Sequence, residues 1–370
     1  LPGAQMKVLF DVNHPAQVHL FRHAIDYLES EGHETLVTSR DKEMTLELLD
    51  AYDVDHRPLT DAADGLLGLV AEWTVREVRL YRVAREFAPD VVVSRPNPAA
   101  AHVSRLVGAR SLFMKDTVLP EPMRTLVHRT TFPFADDVCS PPGFDVGVDP
   151  NRHHTLGFQE LAYLHPDWFT PDPEALADHG VAVDEPYFVL RFAGWGAYHD
   201  VGNGGLSPEA KERLVSFLDE RGEVYITSED DLPPEFEDYR LTVPSHRIHD
   251  LLAGADLYVG DSQTMPTEAA LLGTPAVRVN TMVDEHTMNN FVELEEEYGL
   301  LFSYADETAA LSTVEDLVTD DDTDWGARRD ELLADKPDVT NAMLDLILDE
   351  RADRTGVESP ATARTLQYAR

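Results

Sequence analysis

The sequence predicts an α/β protein of two doubly wound parallel sheets, one after the other along the chain, and three observations carry that expectation. Short apolar runs alternate with amphipathic stretches in two successive series, and a stretch rich in proline, glycine and histidine separates them. The chain has 370 residues, 43% of them hydrophobic, enough to fill two cores.

Lys7 to Val12 is an apolar run ending in the turn-prone Asn13-His14-Pro15, and an amphipathic stretch from Val18 to Ser30 follows, stopped by Gly32. Thr35 to Ser39 reads as a second strand, Met44 to Ala51 as a helix, Val54 to Pro58 as a third strand, and Val70 to Phe87 as a long helix. Asp90 to Ser94 and Arg110 to Met114 are strands around a helix from Ala99 to Val107, and Asp137 to Ser140 closes the series. Such alternation implies parallel sheets covered on both faces. The pattern dissolves between Ser140 and Glu185, then restarts with Tyr187 to Phe192, a helix from Pro208 to Arg221, Glu223 to Thr227, a segment ending at Leu241 to Val243, a helix from Ile248 to Gly254, and the strand Asp256 to Val259. Asp316 to Asp324 is a charge-rich break, and Val339 to Arg351 is a final helix. The expected divisions are a first Rossmann-like domain over 6–165, a linker over 166–184, a second Rossmann-like domain over 185–338, a C-terminal helix over 339–356 and a loose tail over 357–370. Ligands of such sheets bind outside the carboxyl ends of the strands, so the two domains are expected to face one cleft.

The 30 Lys and Arg stand against 69 Asp and Glu, a net charge of −39 spread along the chain. That field repels phosphate backbones and anionic lipids, so no nucleic-acid partner is expected unless local arginines form a site. It also opposes the compact state unless salt screens it, with a Debye length of about 3 Å at molar ionic strength. The composition resembles that of halophilic archaeal cytosolic proteins, an ordinary acidic protein being the alternative. The single cysteine, Cys139, excludes an intramolecular disulfide and a cysteine-based zinc site, and reads as a buried strand end. No apolar run approaches the roughly 18 to 20 residues of a membrane span, so no integral membrane segment and a cytoplasmic location are expected.

The most informative segment is Ala255-Asp256-Leu257-Tyr258-Val259-Gly260-Asp261-Ser262-Gln263-Thr264-Met265-Pro266-Thr267-Glu268-Ala269-Ala270-Leu271-Leu272-Gly273-Thr274-Pro275. An apolar strand runs into a polar turn, and Pro266 sits in the first helical turn, where its missing N–H costs nothing. The unbonded N–H groups of that helix, with donors from Ser262, Gln263 and Thr264, make an anion site suited to a diphosphate, and Glu268 is placed to accept from ribose hydroxyls. A plain strand-to-helix junction with capping hydroxyls is the alternative.

This frame resembles the donor-nucleotide segment of GT-B-fold proteins, which include nucleotide-sugar glycosyltransferases and the non-hydrolysing UDP-N-acetylglucosamine 2-epimerases. Val243-Pro244-Ser245-His246-Arg247-Ile248 is similar to the loop that holds the nucleobase by backbone contacts there, which points to Arg247 and Ile248. Phe10-Asp11-Val12-Asn13-His14-Pro15 and Glu31-Gly32-His33-Glu34 resemble the first strand and acceptor loop. With Leu161-Ala162-Tyr163-Leu164-His165-Pro166, these motifs resemble the mainly archaeal domain of unknown function 354 family over nearly the full chain. The epimerase pattern would have Arg-Pro-Glu after the first strand and Gly-Gly after the donor-helix serine. This chain has Asn13-His14-Pro15 and Gln263-Thr264 instead. The spacings of a dinucleotide-binding glycine loop and of a Walker loop are both missing, which removes dehydrogenase and NTPase readings.

The resemblance further implies that Arg191, with the following loop through Trp195, His199 and Asn203, contacts donor phosphates; a surface ion pair is the alternative. It also implies that Glu285, His286 and Asn289 meet the donor's sugar hydroxyls, a solvated helix start being the alternative. His14 is the first candidate for deprotonating a hydroxyl nucleophile, and Asp116, in Lys115-Asp116-Thr117, is the second. The histidines lack a ligand frame for metal, and no metal and no cofactor are expected beyond a nucleotide sugar as substrate. The expected function is a nucleotide-sugar-dependent GT-B glycosyltransferase acting on an unknown acceptor. A nucleotide-sugar epimerase and a non-catalytic nucleotide-sugar-binding protein stand as alternatives.

Overall fold

The computed structural model describes residues 5–63, 65–116, 123–144, 146–192, 205–228, 232–280, 289–320 and 322–349. The chain divides into two compact units, 1–168 with 336–370, and 169–335.

The first unit contains β1 (Lys7–Val12), α1 (Pro15–Ser30), β2 (Glu34–Asp41), α2 (Thr45–Ala51), β3 (His56–Asp61), α3 (Gly65–Phe87), β4 (Val91–Ser94), α4 (Pro98–Val107), β5 (Arg110–Met114), α5 (Met123–Thr130), β6 (Asp137–Ser140), β7 (His153–Thr155), α6 (Leu161–Leu164) and the distant α14 (Val339–Leu348). Its seven described strands are all parallel in the order β3-β2-β1-β4-β5-β6-β7, so the order reverses between β1 and β4. Central strands are mostly apolar because both faces are covered: Val8, Leu9, Phe10 and Val12 of β1 are all fully buried. β3 runs beyond the expected Val54 to Pro58, and as an edge strand it tolerates Pro58. α3 begins at Gly65, ahead of the expected Val70, because Gly65 and Gly68 hide its apolar periodicity. Cys139 is the penultimate residue of β6 and fully buried, and that burial pushes its thiol pKa up.

The second unit contains α7 (Pro173–Ala177), β8 (Tyr187–Phe192), α8 (Pro208–Asp219), β9 (Glu223–Ser228), α9 (Ile248–Gly254), β10 (Leu257–Gly260), α10 (Met265–Leu272), β11 (Ala276–Val279), α11 (Asn289–Glu296), β12 (Leu301–Tyr304), α12 (Glu307–Val318) and α13 (Trp325–Asp335). Its five described strands are parallel in the order β12-β11-β10-β8-β9, and the order reverses between β8 and β10. Leu190, Phe192, Val259, Val277 and Val279 join one apolar cluster with Leu214, Leu218, Ala310 and Val314 of α8 and α12. Leu241 to Val243 forms no strand; one bridge from Ile226 to Arg240 is all that pairs there.

Residues 166–184, expected as a linker, divide between the units, and 169–184 fold with the second, where Pro173 opens α7 and Asp172 caps it. The segment from Lys336 onward, expected in part to close the second domain, returns to the first unit. The reason is packing: α14 buries Val339, Met343 and Ile347 completely, Thr340 donates its hydroxyl to the Ala162 carbonyl at 2.7 Å, and Trp168 Nε1 donates to Asp338 at 2.8 Å. Full burial of each such apolar side chain is worth roughly 1.5–3 kcal/mol.

Candidate functional site

Each sheet reverses its strand order once, and ligands of open α/β sheets bind beside that point, outside the carboxyl ends of the strands. His14 in the first unit, and Arg191 with the turn Ser262 to Thr264 in the second, lie beside these points.

In the first unit the point lies between β1 and β4. His14 follows β1 as the N-cap of α1, with Pro15 in the first turn, and its Nδ1 accepts the Ala16 N–H at 3.3 Å. That bond places the neutral ring's proton on Nε2, 3.7 Å from the Glu43 carboxylate. Shielding of the ring by the surrounding protein, then the Lys42 ammonium, lower the His14 pKa, opposed by Glu43. The ring is therefore neutral at pH 7 and can take a proton at Nδ1 as the long Ala16 bond yields. Arg95 and Asp116 also act electrostatically on His14, so the two candidate bases share one site. Asp116 differs from expectation in that both of its oxygens are taken by the Arg95 guanidinium, a bidentate pair that leaves it a poor proton acceptor.

Beneath these groups lies a network that the sequence alone did not reveal. Asp11 at the end of β1 and Arg76 of α3 are both fully buried and pair at 2.5 Å. Asp11 also accepts from Thr38 at 2.8 Å, Asn13 at 3.0 Å and Asn97 at 3.4 Å. Arg76 also donates to the Ser39 carbonyl at 3.1 Å. Asn97 caps α4 through the Ala100 N–H at 2.8 Å and donates to the Arg95 carbonyl at 3.0 Å. One buried ion pair thus fixes the loops after β1 and β4 that carry His14 and Arg95.

In the second unit the point lies between β8 and β10. Arg191 nears the end of β8 and donates to the Thr227 hydroxyl at 3.0 Å. Ser262, Gln263 and Thr264 form the turn after β10, with Gln263 and Thr264 exposed. α10 starts without a side-chain cap, so its first-turn N–H groups remain open to a ligand. At its other end Gly273 adopts φ 89°, the left-handed C-cap that suits glycine. Glu268, expected to be open to a ribose, is 5% exposed and shares its carboxylate with buried His249 at 3.1 Å. His249 and Ile248 lie on α9, and Arg247 closes the short 3-10 turn before it, 3.3 Å from Asp250. The loop expected to hold a nucleobase and Glu268 are therefore tied through α9. Asn289 opens α11, while Glu285, His286, Trp195, His199 and Asn203 lie outside the described residues.

Among the described residues, His165, Asp167 and Asp338 are spaced as metal ligands could be. Asp338 already accepts from Trp168 and Asn341 and caps α14, and His165 Nδ1 accepts the Asp167 N–H at 3.3 Å, so the group is satisfied internally. No described helix is long and apolar enough to cross a membrane.

Two Rossmann-like units with these strand orders define an α/β protein of GT-B-like fold, and comparison with solved structures agrees. UDP-GlcNAc 2-epimerase from Neisseria meningitidis, bound to UDP-GlcNAc, superimposes with a TM-score of 0.64 at 12% identity, covering 93% of this chain and 99% of the epimerase. The spinosyn forosaminyltransferase SpnP gives 0.59 at 15% identity, covering 93% and 100%. The chain belongs to the family described as "Protein of unknown function (DUF354)", whose model matches residues 6–317. The uncharacterized protein MJ0665 of Methanocaldococcus jannaschii is 23% identical over 287 residues, 74% of this chain and 81% of that protein.

Proposed function

We propose that this protein is a glycosyltransferase that uses a nucleotide sugar to transfer a hexose-type sugar to an acceptor in cell-surface or glycan metabolism. The observation that supports it best is the uncapped start of α10 beside the β8/β10 switch point, with Arg191, Ser262, Gln263 and Thr264 around it and Glu268 held against His249. A diphosphate there meets N–H donors, hydroxyls and the positive end of a helix, which stabilise charge as the nucleoside diphosphate leaves. Glu268 accepts from the ribose, the backbone of Arg247 and Ile248 meets the base, and Glu285, His286 and Asn289 meet the sugar. In this reading the acceptor hydroxyl loses its proton to His14 and attacks the anomeric carbon, while Asp116 orients Arg95. The helix and side-chain donors do this work without a bound metal.

A nucleotide-sugar epimerase is the second reading, favoured by the likeness to the epimerase fold. The test is thermal stabilisation by nucleoside diphosphates and nucleotide sugars in molar KCl. A ligand at a hundred times its Kd adds about 2.7 kcal/mol. Stabilisation by a nucleotide sugar that is lost in Glu268→Ala supports the site, and turnover abolished in His14→Ala with binding kept supports the base. Full activity in His14→Ala overturns the base, product from nucleotide sugar alone favours the epimerase, and no stabilisation of a folded sample refutes both enzymes.

A further inference from the structure

One polar row crosses the whole described sheet of the second unit. Thr227 registers with Arg191, Arg191 with Gly260, Gly260 with Arg278, and Arg278 with Ser303. Residues of one row in a parallel sheet share a face, and here it is the face opposite the apolar cluster that holds Leu190, Phe192, Val259, Val277 and Val279. The row straddles the switch point between β8 and β10. Gly260 at its centre carries no side chain and lies between two strands that each carry an arginine, their backbones about 9–10 Å apart at two strand spacings. Tyr258, two residues earlier on the same face, brings its hydroxyl 2.5 Å from where a Cβ at Gly260 would stand, so the Tyr258 phenol lies over Gly260 and any larger residue there would displace it.

Arg278 is 5% exposed, and its Nε and Nη1 are enclosed with no hydrogen-bond acceptor. Its guanidinium stacks on the Phe291 ring at 4.4 Å, and Glu295 acts on it only at longer range. The Tyr258 hydroxyl is likewise buried without a partner. A buried donor lacking an acceptor costs about 1–3 kcal/mol, and more when charged, so the unanswered donors of Arg278 and Tyr258, on one face of the sheet, mark a place that awaits an acceptor.

We propose that Arg278 and Tyr258 join Arg191 over Gly260 as an oxyanion seat, and that its occupant is a phosphoryl group of the donor's diphosphate. This rests on the nucleotide-sugar reading. A phosphoryl group offers several acceptor oxygens to the forked donors of two guanidiniums and to one hydroxyl, and the open N–H groups of α10 lie on the same side of the switch point. Asp261 and Glu268 also reach Tyr258 electrostatically and Glu295 reaches Arg278, but Glu268 is shared with His249, so the two arginines face two remaining carboxylates, neither of which Arg278 is hydrogen-bonded to.

The experiment titrates pyrophosphate, the nucleoside diphosphate that stabilises the wild type most, and the matching nucleoside against wild type, Arg278→Leu, Arg278→Lys and Tyr258→Phe. Arg278→Leu is expected to weaken the diphosphates about 10- to 100-fold, to leave nucleoside affinity unchanged, and to hold or raise the unligated melting midpoint, because it removes a buried, unanswered charge. Arg278→Lys, which keeps the charge and loses the fork, and Tyr258→Phe are each expected to weaken the diphosphates several-fold, and they carry the test if Arg278→Leu does not fold. Diphosphate affinities within twofold of wild type in these variants overturn the seat while leaving the nucleotide reading intact. A lowered unligated midpoint with unchanged diphosphate binding marks a structural arginine and also overturns it. If no nucleotide binds, stabilisation by pyrophosphate that disappears in the variants upholds the seat and refutes the nucleotide sugar; no response to pyrophosphate refutes the seat as well.

Discussion

Replacing Arg76 by Met isolates the buried pair beneath the loops of the first unit. The substitution keeps most of the side chain's bulk, removes the guanidinium, and leaves the Asp11 carboxylate with donors from Thr38, Asn13 and Asn97 but no counter-ion. Both partners are 0% exposed, so water cannot compensate, and breaking such a pair costs about 3–5 kcal/mol, a large part of a domain's stability. Asp11→Asn with Arg76→Met removes both charges and is expected to cost less than Arg76→Met alone. Of the four tryptophans, Trp73 and Trp168 belong to the first unit and Trp195 and Trp325 to the second. Urea unfolding followed by fluorescence in a Trp195→Phe/Trp325→Phe background therefore reports the first unit. A cost below about 1 kcal/mol for Arg76→Met, or a double variant as costly as the two single changes combined, would refute the reasoning.

Two further outcomes are expected. With a net charge of −39, the melting midpoint should rise steadily from 0.1 M to molar KCl as the Debye length falls from about 10 to about 3 Å; a flat or falling midpoint contradicts the salt-adapted reading. Burial, then Arg22, lowers the His23 pKa to about 3, and its Nε2 is enclosed without a partner beside the Trp168 ring. The unfolded chain takes up that proton near pH 6.5 while the native ring stays neutral, so stability falls below about pH 6.5 by up to about 1.4 kcal/mol per pH unit until about pH 3. Urea series at pH 7, 6 and 5 should show a shallower loss in His23→Phe, and equal slopes would sink this assignment.

The strand-helix alternation and the turn before α10 were legible because each depends on neighbours in sequence: apolar periodicity, Pro266, Gly273. The pairing of Asp11 with Arg76 was not, since it joins residues 65 apart and α3 shows no pattern that marks Arg76 as buried. Arg278 was not legible either, because a charge inside the apolar run Ala276–Val279 does not show its burial until the sheet order places β11 between β10 and β12. Glu268 was picked out by its motif, but its tie to His249 spans 19 residues and needed the packing of α9 on α10. The return of α14 to the first unit is equally non-local, because an apolar helix face does not name its partner.

That return governs the order in which the chain can mature during synthesis. The second unit is an insertion whose two ends both join the first, so 169–335 are made as one uninterrupted stretch and can close as soon as they leave the ribosome. The first unit, begun earlier, must wait with the α1 and α6 surfaces uncovered until α14 emerges. A premature stop just after Asp335 would therefore spare the later-made unit and abandon the earlier one, exposing the apolar seats of Val339, Met343 and Ile347 to chaperones and proteases.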